Sequence, residues 1–231
     1  MKQIICVIGT DGSGKTTLIG KTVEKLRETG VQATGIWFGS KGYLLTPIRM
    51  ALKPIWRPRK RPNATGKPQQ ESMRYSTEIK SKNRVVQKYS WAIPIYVSIV
   101  WFDYKIQVAF KFLSARNSAV IIADRYIFDV AINIGLTLGW TPEDVVQFVR
   151  KRIKSFPIPQ ALFFLRVEPE VSLSRKNDIP DADYLILRLS YYEALAEAFN
   201  FTLLDGTLPI NQNRDTLVEC VHSTFLLDTK S

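Results

Sequence analysis

The residues best suited to chemistry form one glycine-rich stretch near the N-terminus. Residues 9–16 read Gly-Thr-Asp-Gly-Ser-Gly-Lys-Thr and fit the pattern G-x-x-x-x-G-K-[ST] at every fixed position. Backbone N–H groups of such a loop can surround phosphate oxygens, while its lysine adds a positive charge and its hydroxyl can ligate Mg²⁺. The pattern is typical of a Walker A loop that binds the phosphates of a nucleotide, with a chance match in an ordinary glycine turn as the alternative. The candidate phosphate ligands are Gly9, Asp11, Gly12, Ser13, Gly14, Lys15, Thr16 and Thr17.

The sequence on either side of this loop favours the phosphate-binding interpretation. Residues 4–8 are continuously apolar and largely β-branched, which predicts a buried parallel strand. From Lys15 onward the apolar residues follow helical spacing, and Gly30 ends the pattern. A strand, a glycine loop and a helix in this order direct unpaired N–H groups and the positive end of the helix dipole at one point, which favours anions.

The rest of the chain alternates between predicted strands and helices. Continuous apolar runs predict buried parallel strands at 118–123 and 161–165, and further strands are predicted at 31–38 and 201–204. Helical patterns cover 128–138, 169–174, 184–199 and 214–225, and Thr141-Pro142-Glu143-Asp144 has the residues of a helix start. We therefore predict an α/β fold in a single domain over 1–231, with a five-stranded parallel sheet flanked by helices on both faces.

The segment 85–113 has a helical, aromatic-rich pattern that Pro94 should interrupt. Its apolar part raises the alternative of a transmembrane span. Asp103 and Lys105 fall within the twenty or so residues that a span needs, so we interpret the segment as a long core helix. Asp103 should lie either at the helix surface or in a pocket.

The basic charge of the chain is concentrated in one segment. Residues 41–90 contain thirteen Lys or Arg and two Glu, a net charge of +11 that equals the net charge of the whole chain. We expect a helix over 43–55, followed by a polar and flexible stretch. Three roles stay open for this insertion: a solvated surface, contact with anionic lipid or nucleic acid, or a clamp for an acceptor phosphate.

Cysteine content suggests the compartment. Cys6 and Cys220 lie in separate predicted elements and imply no disulfide framework, and the N-terminus lacks the pattern of a signal peptide. Both observations favour a cytoplasmic protein.

Two further carboxylates are candidates for the site. Asp124 follows a buried strand, where open parallel sheets place functional groups, and could hold Mg²⁺ opposite Thr16. A solvated turn residue is the alternative. Asp129 could bind a sugar hydroxyl of an acceptor or could be an ordinary acid in the first turn of a helix.

Together these motifs resemble the thymidylate kinases and, more broadly, the nucleoside monophosphate kinases. The resemblance rests on the loop 9–17 with Asp11 inside it and on Asp124-Arg125-Tyr126. It rests also on a predicted strand that is followed by Pro-Glu-Val at 169–171 and by Arg-Lys at 175–176, where a lid at about 175–183 begins. It implies ATP as donor, Mg²⁺ as cofactor and a nucleoside monophosphate such as dTMP as acceptor, in a cytoplasmic enzyme of nucleotide biosynthesis. It also implies that Asp11 contacts the acceptor, that Arg125 faces the transferred phosphoryl, and that the lid supplies Arg175 and Lys176, with Arg188 in reserve. We add a homodimer as an expected assembly.

The chain departs from these kinases on the acceptor side. They usually carry Arg-Glu-Pro-Gly after the second strand, where this chain reads Gly39-Ser40-Lys41-Gly42. After Asp-Arg-Tyr they commonly have a Ser and an Ala-Tyr-Gln, whereas 127–133 here is Ile-Phe-Asp-Val-Ala-Ile-Asn. Two alternatives stay open: a kinase of another small molecule, and a nucleotide-binding regulatory protein whose basic segment binds nucleic acid or membrane.

Overall fold

Five parallel strands form the centre of the molecule. The computed structural model describes residues 2–39, 91, 93–175 and 182–228. The strands are β1 (Gln3–Ile8), β2 (Ala33–Trp37), β3 (Val120–Asp124), β4 (Ala161–Arg166) and β5 (Thr202–Asp205). They pair side by side in the order β2-β3-β1-β4-β5, and every pairing is parallel. This confirms the predicted fold class.

Helices connect the strands because parallel neighbours need crossover connections. They are α1 (Lys15–Glu28), α2 (Ile93–Ser114), α3 (Tyr126–Leu138), α4 (Pro142–Arg152), α5 (Pro169–Arg175), α6 (Ala182–Ala198) and α7 (Ile210–Asp228), and a 3₁₀ turn, Ile153–Ser155, follows α4. The predicted start of α4 is confirmed as a capping box, in which Thr141 and Asp144 each bind the other's backbone N–H.

Alternation along β1 divides the core into two layers. Ile5 and Val7 belong to the cluster that includes α1 and α7, whereas Ile4, Cys6 and Ile8 belong to the cluster that includes α2, α3, α4 and α6. A strand buried on both faces has no polar side, which explains the continuous apolar run in the sequence. The sheet is therefore covered by helices on both faces.

The structure corrects two boundaries of the prediction. Pro94 does not interrupt a helix but is the second residue of α2, in the first turn, where a missing N–H costs no helical hydrogen bond. The helix after β3 begins at Tyr126 rather than at residue 128, directly after Arg125. Across the described ranges, no helix has both the length and the apolarity that crossing a membrane requires.

Several predictions fall outside the described residues. These are the basic insertion 41–90 with its helix over 43–55, the residue Lys176, and most of the lid at about 175–183. The assignment of the whole chain to a single domain stays a prediction.

Candidate active site

Two strand ends bring the candidate residues to one edge of the sheet. β1 and β3 are adjacent, and Val7 of β1 lies opposite Asp124, the last residue of β3. The glycine loop follows β1 directly, so loop and carboxylate lie side by side at the carboxyl ends of parallel strands. In open α/β sheets this edge is where ligands bind.

The glycine loop has the backbone geometry that its sequence predicts. A Cβ on Gly9 would lie 2.5 Å from the carbonyl oxygen of Leu165, so only glycine allows β4 to approach this closely. Gly14 is the N-cap of α1 and has a φ of 93°, a backbone conformation that residues with a Cβ rarely adopt. Helix α1 therefore starts at Lys15, with its positive dipole end at the loop.

Lys15 is folded back over its own loop. Its Nζ donates to the carbonyl oxygen of Thr10 at 2.6 Å and to the hydroxyl of Ser13 at 3.1 Å. Burial lowers the pKa of Lys15 to about 8, and the nearby positive charge of Arg125 acts in the same direction against the neighbouring carboxylates. The ammonium group of Lys15 thus donates to two oxygens of the loop, and phosphate oxygens would compete with these for its N–H groups.

Asp124 is buried, and its Oδ1 makes no hydrogen bond to any described residue. Burial raises the pKa of this carboxyl group, although Lys15 and Arg125 oppose the shift. A buried carboxylate oxygen without a partner costs free energy unless a cation or a donor reaches it. This is the environment expected of a metal ligand.

Arg125 occupies an unusual backbone conformation directly after β3. Its φ and ψ are 75° and −48°, and its N–H donates to the carbonyl oxygen of Val7 at 2.9 Å. Such conformations cost on the order of 1–3 kcal/mol and persist only where the surroundings fix them. They direct the guanidinium back over the glycine loop, where it forms an ion pair with Asp11 and another, at 2.8 Å, with Asp129.

Asp129 is the centre of a buried ionic network. Its Oδ1 accepts from Arg125, from Arg188 at 2.5 Å and from the hydroxyl of Tyr192 at 2.6 Å, while its Oδ2 accepts from Asn133 at 3.2 Å. Burial alone would raise the pKa of this carboxyl group, but the guanidiniums of Arg188 and Arg125 hold it well below its usual range. Asp129 is therefore ionised at any physiological pH.

Asp11 links the glycine loop to this network. It binds Arg125 through one carboxylate oxygen and accepts a hydrogen bond of 3.2 Å from the hydroxyl of Tyr184 through the other. Burial opposes its ionisation, yet the charge of Arg125 keeps the pKa below the ordinary value. Asp11 therefore lies beside Arg125, where the glycine loop meets the network.

The structure brings together most of the predicted site residues, but not Arg175. That side chain is exposed and donates to the carbonyl oxygen of Gly206 at 3.0 Å, and its neighbour Lys176 lies outside the described residues. Three residues of the network were not identified from the sequence, namely Asn133, Tyr184 and Tyr192, and Arg188 was predicted only as a reserve lid residue. Residues 184, 188 and 192 recur every four residues on α6, a periodicity that could have identified them as one face.

The side chains at this edge suit Mg²⁺. Asp124 offers an unpaired carboxylate oxygen, and the exposed Thr16 at the start of α1 offers a hydroxyl. Mg²⁺ prefers oxygen ligands, and it is commonly held by one or two protein groups together with substrate phosphates and water. We identify Thr16 and Asp124 as the residues that would hold it.

A parallel five-stranded sheet with a glycine loop after its first strand defines an α/β fold of the P-loop type. Among curated proteins, the chain is 24% identical to a protein of Metallosphaera sedula named probable thymidylate kinase, over 98% of this chain and 96% of that protein. It is 25% identical to proteins named thymidylate kinase from two serovars of Leptospira interrogans, over 96% of this chain and 93% of theirs. No family model matches. These similarities over nearly the full chain confirm the resemblance to thymidylate kinases.

Proposed function

We propose that the protein transfers the γ-phosphoryl group of ATP to a nucleoside monophosphate, with dTMP or a similar nucleotide as acceptor. The observation that carries the proposal is the position of Arg125. This guanidinium joins the phosphate-binding loop, through Asp11, to a second set of polar residues on α3 and α6. Phosphoryl transfer requires positive groups beside the transferring phosphoryl, and a cation between the proposed donor and acceptor sites is suited to that task.

The donor side is formed by the loop and by α1. Loop N–H groups and Lys15 would hold the β- and γ-phosphates, and the lysine would exchange its hydrogen bonds to Thr10 and Ser13 for phosphate oxygens. Mg²⁺, when bound at Thr16 and Asp124, would neutralise charge on the phosphates. Arg125 would stabilise the charge on the transferring group, so binding and electrostatics supply the catalysis.

The acceptor side is formed by Asp11, Tyr184 and Arg125. The carboxylate of Asp11 already accepts from a phenol hydroxyl, so a sugar hydroxyl of a nucleotide could take a similar place. An acceptor phosphate would bind Arg125. Of the predicted lid residues, Arg175 donates to the carbonyl oxygen of Gly206, so a catalytic contact would require this side chain to leave that oxygen.

Direct measurement of turnover tests the proposal. The full chain is incubated with Mg-ATP and a panel of nucleoside monophosphates, nucleosides and sugar phosphates, and products are separated by chromatography. We expect a nucleoside diphosphate product, and Lys15→Ala serves as the inactive control. Phosphorylation of a non-nucleotide would favour another small-molecule kinase, and absence of any product would refute kinase activity.

An exposed apolar face of α2 supports a homodimer. Phe102 and Phe110 are 61% and 67% exposed, and they lie in a stripe with Ile99, Ile106 and Leu113. The spacing of these five residues is symmetric about Ile106, so two antiparallel copies of α2 could pair each residue with an apolar partner. Sedimentation would report a dimer that Phe110→Glu dissociates, and a monomeric wild type would contradict this assembly.

Contact of residues 41–90 with anionic lipid or nucleic acid stays a prediction, because the segment lies outside the described residues. Its net charge of +11 predicts binding that weakens with salt. Vesicle sedimentation and DNA filter binding, each at low and high salt, would test the two partners separately.

A further inference from the structure

Asp129 is a buried carboxylate whose oxygens are occupied by protein donors. The residue is 5% exposed and its carboxylate receives four hydrogen bonds, two of them from guanidiniums. Asp129 lies on α3, four residues after Arg125, and pairs with Arg188 on α6. A group so fully occupied by protein donors has little capacity left for a substrate hydroxyl.

We propose that Asp129 is a positioning residue that holds Arg125 in its catalytic orientation. This inference rests on the proposed function. Arg125 is bound at two points: Nη2 pairs with Asp11 and Nη1 pairs with Asp129. Asp11 is 22% exposed in its side chain and faces the site, whereas the Asp129 side chain is only 6% exposed.

The two contacts differ in what a substrate can displace. An incoming phosphate competes with the accessible Asp11 for Nη2, because both offer anionic oxygens to the same donor. Asp129 lies behind the guanidinium and keeps Nη1 throughout. The arginine can therefore exchange one partner without losing its orientation, which pre-organises the charge that stabilises the transferring group.

Arg188 explains how Asp129 itself stays fixed. Arg188 is 4% exposed, and its guanidinium donates to Asp129 and to Asn133 and lies 5.5 and 5.8 Å from the ring centroids of Tyr184 and Tyr192. A buried arginine requires a carboxylate partner, since an unpaired charge in the interior is costly. The pair Asp129–Arg188 thus forms the anchor, and Arg125 is the group that it holds.

Two variants separate positioning from simple stabilisation. In Asp129→Asn, we expect a fall in kcat of about a hundredfold with little change in the KM for ATP, because misplacement of a catalytic group by about 1 Å costs that much. The same variant should lower Tm by roughly 10 °C, since Arg188 loses its counterion. The double variant Asp129→Asn/Arg188→Gln removes both buried charges, so we expect Tm to recover while kcat stays low.

Two controls complete the design. Asp103→Asn removes an equally buried carboxylate on α2 that accepts from Gln107, and it should leave kcat unchanged. Asp129→Glu keeps the charge and should recover part of both kcat and Tm. Recovery of kcat together with Tm in the double variant would overturn the inference, because Asp129 would then act through stability alone.

A readout that does not need turnover distinguishes the inference from the proposed function. Ion-paired guanidinium N–H groups exchange slowly enough to be followed by ¹⁵N NMR, and we expect the Arg125 resonances of the wild type to be lost in Asp129→Asn. Their persistence would refute the positioning role whatever the activity. Absence of turnover in the wild type, with the resonances behaving as expected, would refute the proposed function alone.

Discussion

Raising the pH above 8 should weaken nucleotide binding, because Lys15 then loses its charge in the unliganded protein. Burial and the neighbouring Arg125 lower the pKa of Lys15 from 10.5 to about 8. Bound phosphates supply negative charge beside Nζ and should return this pKa to at least its ordinary value. Nucleotide binding is therefore coupled to protonation of Lys15 in the alkaline range.

The magnitude follows from the fraction of protonated lysine. With a pKa of about 8, roughly nine tenths of Lys15 is charged at pH 7 and about 3% at pH 9.5, so affinity should fall about thirtyfold, or about 2 kcal/mol. At pH 8, each nucleotide bound should take up about half a proton. Phosphate groups titrate near pH 6 and contribute little in this window.

The stability of the unliganded protein should change in the opposite direction. A lysine whose pKa is lowered by folding destabilises the folded state below about pH 8, and that penalty is relieved as pH rises towards 10.5. The titration of Lys15 therefore does not destabilise the folded protein above pH 8, and a loss of affinity in that range would not come from unfolding caused by this residue.

Isothermal titration calorimetry measures both quantities. Mg-ATP is titrated from pH 7 to 9.5 in two buffers with different ionisation enthalpies, so that proton uptake is separated from binding enthalpy. Lys15→Arg is the control, because a guanidinium stays charged throughout and should abolish the pH dependence. A wild-type affinity that is flat over this range, or an equal dependence in the arginine variant, would refute the reasoning.

Three substitutions test other parts of the structure. Gly9→Ala places a Cβ 2.5 Å from the Leu165 carbonyl oxygen and should lower Tm and ATP affinity. Its control is Gly20→Ala on α1, whose added Cβ would meet nothing within 4 Å beyond the backbone of its own helix, and which should be neutral or stabilising by up to about 1 kcal/mol; equal Tm values by calorimetry would contradict this. Asp124→Asn should remove the Mg²⁺-dependent part of ATP affinity without lowering Tm, because burial already raises the pKa of that carboxyl group. ATP titrations with and without Mg²⁺ measure this part, and the same gain in affinity from Mg²⁺ in wild type and variant would show that Asp124 is not a ligand. Thr141→Ala removes the α4 cap and should cost about 1 kcal/mol, seen as a Tm lowered by roughly 2–4 °C, with unaltered turnover.

The sequence predicted the strands and the backbone of the glycine loop well because both depend on local patterns. Continuous apolar runs marked the buried strands, and the spacing of Gly9, Gly14 and Lys15 defined the loop without reference to the rest of the chain. The helix start at Thr141 was equally local. Such features are encoded within a few neighbouring residues.

The polar network could not be predicted from local patterns. Asp129 and Arg188 are separated by 59 residues and meet only because α3 and α6 pack on the same face of the sheet. The left-handed backbone of Arg125 is likewise imposed by its hydrogen bond to Val7 in another strand. Consequently, Asp129 was predicted to be a substrate ligand, and that prediction stays untested, while its ionic partners were not identified.

The hydrogen bond from Arg125 to Val7 joins main-chain atoms, so the part of the site that it holds does not depend on the side chains that form the other part. Main-chain contacts between β1 and β3 fix the phosphate loop and the start of α3, and these contacts do not depend on side-chain identity. The proposed contacts of Asp11 and Tyr184 with the acceptor are made by side chains instead. Selection for a new acceptor could therefore change these side chains one at a time, while the main chain that shapes the phosphate loop stays as it is.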